Sequence, residues 1–267
     1  MQPVDAHGNP LCLMQIHAHP DDEASKGAGT KARYATAGVR TILVCCTGGE
    51  AGDVLNEALN TNEVRDNLAA VRRLELEASA AILKYDELYW LGYHDSGMPD
   101  TEVNARPDNF ANAPIEEAVE RLVRLIRLER PHVLLAYDED REWYPHPDHI
   151  QVHVVSVEAF RAAGDAERYP LAGEPWAPSK LYFSGFAPTR IIALHEKFLE
   201  HNLESPFVQW IEHIPTTVPN FDTRVDITDF LGYRRRALEA HATQVAPDSF
   251  WLQLPDEVLA DVFGADE

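Results

Sequence analysis

The chain has 267 residues, 45% of them apolar and 25% charged, which suffices for one sizeable buried core and excludes a disordered tail. Its 23 basic and 44 acidic residues give a formal net charge of −21; a phosphate backbone or an anionic membrane surface would be repelled, so neither nucleic acid nor membrane is expected as a partner. The stretch from Met1 to Glu23 has no basic segment leading a long apolar one, and no run of about 18 apolar residues occurs, so a cytoplasmic protein is expected. Cys12, Cys45 and Cys46 are odd in number, lack CxxC spacing and lie in apolar stretches; they read as small core residues in a reducing compartment rather than as disulfides or zinc thiolates.

Apolar runs alternate with helical patterns along the chain. A strand from Leu11 to Ile16, a helix from Ser25 to Ala37, a strand from Val39 to Cys46, a helix from Val64 to Leu83 and a strand from Leu88 to Leu91 set a β-α-β-α-β rhythm. A helix from Ile115 to Leu128, a short buried strand from His132 to Ala136 and a helix from Ile150 to Ala163, beginning just past Pro145 and Pro147, continue it. This is the α/β class: a Rossmann-like, mostly parallel sheet flanked by helices. One domain is expected, with its core over about residues 8–165 and a C-terminal extension, 166–267, packed on it; there a strand from Lys180 to Phe186 and helices from Ile191 to Glu200 and from Phe230 to Ala242 are expected. Right-handed crossovers bring the loops after the strands to one sheet edge, where ligands bind. Chemistry is therefore expected after Ile16, Cys46, Leu91 and Ala136, with the Gly92 to Pro114 loop as a wall or lid.

The first of those loops carries His17-Ala18-His19-Pro20-Asp21-Asp22-Glu23, and the fourth runs from Tyr137 to His149 and ends in His146-Pro147-Asp148-His149. Singly, each signal is weak, since an Asp-Asp pair before a helix is often only an N-cap. Together they bring imidazoles and carboxylates to one sheet edge. A hydrolytic zinc site takes three N or O side-chain ligands and leaves one position open for water, and a His-Asp-His set meets that need; ferrous iron would also accept two His and one Asp. Spacing alone does not choose between His17 and His19, or between Asp21 and Asp22. A dinucleotide-binding domain is a contrary reading, but no Gly-x-Gly-x-x-Gly follows the first strand.

The pairing of His19-Pro20-Asp21-Asp22-Glu23 with His146-Pro147-Asp148-His149 resembles the LmbE-like (PIG-L) family of zinc-dependent amidases and de-N-acetylases. Ser25-Lys26-Gly27, Thr47-Gly48-Gly49-Glu50, Asp95-Ser96-Gly97, Tyr144 to His149, Gly173-Glu174-Pro175-Trp176 and Ser179-Lys180-Leu181-Tyr182 are similar to its branch acting on mycothiol S-conjugates. The resemblance implies zinc on His19, Asp22 and His149 and a general base at Asp21. It further implies that His146 and Tyr144 stabilise the oxyanion, that His146 protonates the departing amine, and that Asp148 orients the His146 ring. Arg72 and Asp95 would hold the glucosaminyl-inositol part of the substrate, Lys26 would mark the amidases rather than the deacetylases, and Glu50 and His241 would border the pocket. The implied activity is zinc-dependent hydrolysis of a small-molecule thiol-sugar conjugate to a mercapturate, in detoxification or natural-product biosynthesis, with de-N-acetylation of N-acetylglucosaminyl-inositol or another N-acetyl sugar as the alternative. Two departures bear on the pocket mouth: Arg141-Glu142-Trp143 is bulkier than the family's approach to the second motif, and Ala51 stands where a basic residue is common.

Overall fold

The strand with every residue buried sits in the middle of the sheet. The computed structural model describes residues 2–139, 144–185, 187–212, 214 and 221–266. In chain order its elements are β1 (Cys12–His17), α1 (Asp22–Ser25), α2 (Ala28–Thr36), β2 (Arg40–Thr47), α3 (Asn62–Asp66), α4 (Leu68–Leu83), β3 (Glu87–Tyr93), α5 (Ile115–Glu129), β4 (Val133–Tyr137), α6 (Pro147–Ala162), β5 (Lys180–Ser184), α7 (Thr189–Glu200), α8 (Val208–Ile211), β6 (Val225–Asp226), α9 (Leu231–Ala240), α10 (Phe250–Gln253), α11 (Asp256–Phe263) and β7 (Ala265–Asp266). Five parallel strands form the main sheet in the order β3-β2-β1-β4-β5. The chain winds outward from β1 through β2 to β3 and then returns to β1's other side as β4. The loops after β1 and β4 therefore diverge and open a crevice at the carboxyl ends of these two strands, the usual ligand position of such sheets.

Alternation along the buried strands assigns the two faces. Met14, Ile16, Ile42, Val44, Cys46 and Leu134 pack with Val119, Leu122 and Ile126 of α5 and Val152 and Val155 of α6. Leu43 and Cys45 face the opposite way, onto Leu76 and Ala80 of α4. All three cysteines are free and buried. Leu122 is fully buried, so Leu122→Ala is expected to cost about 2–5 kcal/mol of stability, measured by urea unfolding. No helix among the described residues is long and apolar enough to cross a membrane.

The strand and helix order follows the sequence reading, and the differences have local causes. The expected helix from Ser25 is two helices, because Gly27 takes φ 73° and a Cβ there would lie 2.6 Å from Gln15 Nε2. The helix expected from Val64 is likewise split. Asn67 leaves the helical region at φ −123°, and its side chain donates to the Glu63 carbonyl at 2.9 Å, competing with the backbone ladder. α6 starts three residues early, since proline is well suited to a first helical turn; this places Asp148 and His149 on the helix itself. From the extension, β5 supplies an edge of the main sheet, ending at Ser184, while Phe186 lies outside the described residues. α9 packs against α1, α2 and α4, and a second apolar cluster gathers Phe198, Leu231, Leu259 and Phe263.

Candidate active site

The loop after β1 and the first turn of α6 meet at the crevice. The His19 backbone N–H donates to Asp22 Oδ2 at 2.9 Å, folding the loop so that His19 Nδ1 stands 3.4 Å from that same oxygen. His149 Nε2 approaches it from α6, also at 3.4 Å. All three side chains are buried, with one ligand atom from each within 4.8 Å of the others. His149 Nε2 has no hydrogen-bond partner, and burial holds its ring neutral, with a pKa down to about 4. An orphaned lone pair facing a carboxylate and a second imidazole is a donor set that fits a divalent cation. His17 turns away into the core, where its Nδ1 meets the Tyr137 hydroxyl at 2.8 Å.

His19, Asp95 and His146 form a second group of compatible donors, but the His19 nitrogen facing Asp95 and one nitrogen of His146 are already engaged. His19 Nε2 lies 3.1 Å from Asp148 Oδ2, and His146 Nδ1 accepts the Asp148 backbone N–H at 3.2 Å. The first group is therefore the better cage. Burial opposes charge on the His19 ring, yet acceptance by Asp148, Asp22 and Asp95 raises its pKa well above the ordinary value; a cation on Nδ1 would displace that proton. Asp148 was expected to orient His146. Instead its buried carboxylate takes the His19 contact and accepts from the Ser96 backbone N–H at 2.9 Å and from the Ser96 hydroxyl. The reason is the early start of α6: His146 becomes the N-cap, so its ring meets the backbone of Asp148. A carboxylate backing a candidate ligand imidazole fixes the ring and its tautomer.

Asp21, beside this group, holds φ 104°, a strained value for a non-glycine residue that costs about 1–3 kcal/mol. Arg72 Nη2 contacts its Oδ2 at 2.9 Å, and its N–H donates to Glu23 Oε2 at 3.0 Å. Burial raises the Asp21 carboxyl pKa, with Arg72 opposing. Arg72 is itself buried and also donates to the carbonyls of Gly49, at 2.5 Å, and Pro20, so its terminal nitrogens brace the two loops. Lys26, a third exposed, donates to Asp22 Oδ1 at 2.6 Å. Asp95 accepts N–H groups from Gly97 and Ala51 at 2.8 and 3.2 Å, with Oδ1 3.5 Å from His19 Nε2.

Glu50 Oε1 meets His94 Nδ1 at 2.7 Å and the Asp95 N–H at 3.3 Å, and its Oε2 is buried without a hydrogen-bond partner. Glu50, Asp53, Asn60 and Arg65 help to line a cavity of about 460 Å³. Tyr144 is half exposed, its ring 6.1 Å from His146 and 5.1 Å from His149; Arg141, Glu142 and Trp143 lie outside the described residues. The Gly92 to Pro114 loop is tied to itself by a bridge between His94 and Asn109, by Asn109 bonds to the carbonyls of Val103 and Asn104, and by an Asn104 bond to Ser96.

His241 was expected at the pocket border. It is fully buried behind the first loop, with Nε2 2.6 Å from Glu23 Oε1. Opposing desolvation, the pair lowers the Glu23 pKa and raises that of His241. Sequence reasoning gave no role to Glu23 or Ser96. The signal for Ser96 was its place in the Asp95-Ser96-Gly97 motif, and for Glu23 its place in the first.

Residues 14–160 match the family model described as PIG-L, GlcNAc-PI de-N-acetylase. The chain is similar to mycothiol S-conjugate amidase of Streptomyces coelicolor, 40% identical over 96% of this chain and 90% of the relative. It is also similar to 1D-myo-inositol 2-acetamido-2-deoxy-alpha-D-glucopyranoside deacetylase of Streptomyces avermitilis, 37% identical over 94% and 88%. Among solved structures, N,N'-diacetylchitobiose deacetylase of Pyrococcus horikoshii superposes with a TM-score of 0.62 at 25% identity, over 91% of this chain and 73% of that one. The chain thus belongs to the PIG-L (GlcNAc-PI de-N-acetylase) family and is a hydrolytic enzyme acting on amide bonds.

Proposed function

We propose that the chain is a zinc-dependent amidohydrolase that cleaves the amide of a mycothiol S-conjugate, releasing an N-acetylcysteine S-conjugate and glucosaminyl-inositol. The observation that carries the reaction class is the buried His19–Asp22–His149 group with Asp21 beside it. The substrate rests on the 40% identity to the Streptomyces coelicolor amidase. His19, Asp22 and His149 would hold the ion, which when bound supplies a Lewis acid for the carbonyl and an acidified water. Asp21 takes the proton of the attacking water as general base, while Arg72 holds its carboxylate. Because His146 Nδ1 accepts the Asp148 N–H, the neutral ring carries its proton on Nε2. From there it donates a hydrogen bond to the oxyanion, with Tyr144 beside it; the proton that Asp21 took from the water passes to the departing amine nitrogen as the C–N bond breaks, returning Asp21 to its carboxylate. Asp148 and Ser96 hold His19. Lys26 and Asp95 would contact the substrate beside the candidate metal group, and the polar cavity lined by Glu50 suits the hydroxyl-rich sugar and cyclitol. We place the enzyme in a reducing cytoplasm, in keeping with its three free buried cysteines, with a small-molecule thiol-sugar conjugate as its partner and zinc rather than ferrous iron as its metal.

De-N-acetylation of N-acetylglucosaminyl-inositol is the second reading, favoured by the 37% identity to the Streptomyces avermitilis deacetylase. Initial rates of one preparation on a bimane-type mycothiol S-conjugate and on N-acetylglucosaminyl-inositol separate the two. The conjugate is expected to show the higher kcat/KM; the reverse order assigns the deacetylase activity.

A further inference from the structure

We infer that Glu23 and His241 are positioning residues for Asp21, so that the C-terminal part of the chain sets the geometry of the reacting carboxylate. This rests on the role given to Asp21 above. Asp21 holds an unfavourable positive φ, and such a conformation persists only where its surroundings over-determine it. From the side chain the restraint is Arg72; on the backbone the carbonyl accepts from the Ala24 and Ser25 N–H groups, both at 3.0 Å, and the N–H is held by Glu23 Oε2. Glu23 is fully buried, and its other oxygen accepts from the Ser79 hydroxyl and faces His241 Nε2 at 2.6 Å. A carboxylate fixed at both oxygens cannot follow the Asp21 N–H if that backbone relaxes, so it defines where the N–H must point.

His241 is fixed in turn, as the C-cap of α9, which packs on α1 and α4. The segment after it is anchored by the Leu55 N–H donating to the Thr243 carbonyl at 2.8 Å and by Thr243 donating to Glu75 through backbone and hydroxyl, both at 2.7 Å. Glu23 and His241 touch none of the atoms where a substrate would bind, and both are at 0% exposure. Their effect on the reaction runs through the Asp21 backbone.

The test is a set of variants assayed for kcat, KM, bound zinc and thermal unfolding. Glu23→Leu removes the acceptor at similar volume and is expected to lower kcat about 10–100-fold with KM and zinc content unchanged. Glu23→Gln keeps an oxygen for the Asp21 N–H and is expected to recover most of that loss. In an Asp21→Ala background Glu23→Leu should cause no further fall, since its effect passes through the missing carboxylate. Should Glu23→Leu fail to fold, the same comparison is made with His241→Leu, expected to lose kcat, and His241→Gln, which retains a donor and is expected to recover it. Wild-type kcat in the folded leucine variant, or an equal loss in the Asp21→Ala background, overturns the inference. Activity retained by Asp21→Ala alone would instead overturn the role of Asp21.

Discussion

Replacing Asp21 with alanine is expected to lower turnover about 10²–10⁴-fold while leaving the metal content at one ion per chain. The two outcomes separate because Asp21 lies outside the His19–Asp22–His149 group: its carboxylate turns to Arg72, and its N–H turns to Glu23. A general base missing from an otherwise intact site removes the proton acceptor for the attacking water and nothing that binds the ion. Elemental analysis and steady-state rates on one preparation check both halves. A variant that keeps full activity refutes the role of Asp21, and one that loses its metal shows that Asp21 belongs to the ligand set.

The second large effect belongs to His19→Ala, which is expected to lose metal and turnover together. One imidazole serves two sides of the site: Nδ1 faces Asp22 at 3.4 Å, while Nε2 faces Asp148 at 3.1 Å and Asp95 at 3.5 Å. Removing it deletes a ligand, so zinc affinity should fall by more than the roughly 10–100-fold seen when only a residue backing a ligand is changed. It also leaves the buried Asp148 carboxylate with the Ser96 bonds but no imidazole, a loss of about 1–3 kcal/mol in folding stability. Equilibrium dialysis against zinc and urea unfolding measure the two terms. Retained zinc affinity would place the ion elsewhere.

Much of the site was legible because its residues cluster in sequence. His19, Asp21 and Asp22 follow one buried strand and His146, Asp148 and His149 follow another, and the pairing of β1 with β4 brings the two stretches together. Which histidine of the first stretch faces the crevice was not legible from spacing: His17 belongs to β1 and turns to Tyr137, while His19 lies past its end. Contacts between distant segments were hidden altogether. Glu23 and His241 are 218 residues apart, and no periodicity links them. Asp148 and Ser96 meet only because the Gly92 to Pro114 loop folds back under α6. The fold was legible from its apolar runs, and the helix breaks at Gly27 and Asn67 followed from turn chemistry that a purely apolar period overlooks. Lys26 and Arg72, read as substrate contacts, are engaged with Asp22 and Asp21, because buried carboxylates around a candidate cation site draw the nearest basic groups.

If His19, Asp22 and His149 hold a zinc ion as proposed, the amide is not cleaved without it. This is tested most directly by removing the metal with a chelator, assaying hydrolysis of a bimane-type mycothiol S-conjugate, and then returning one equivalent of zinc. Near-stoichiometric zinc is expected at the start, with loss of cysteinyl-product release on chelation and its recovery with the added ion. Undiminished hydrolysis by the chelated protein would contradict the proposal.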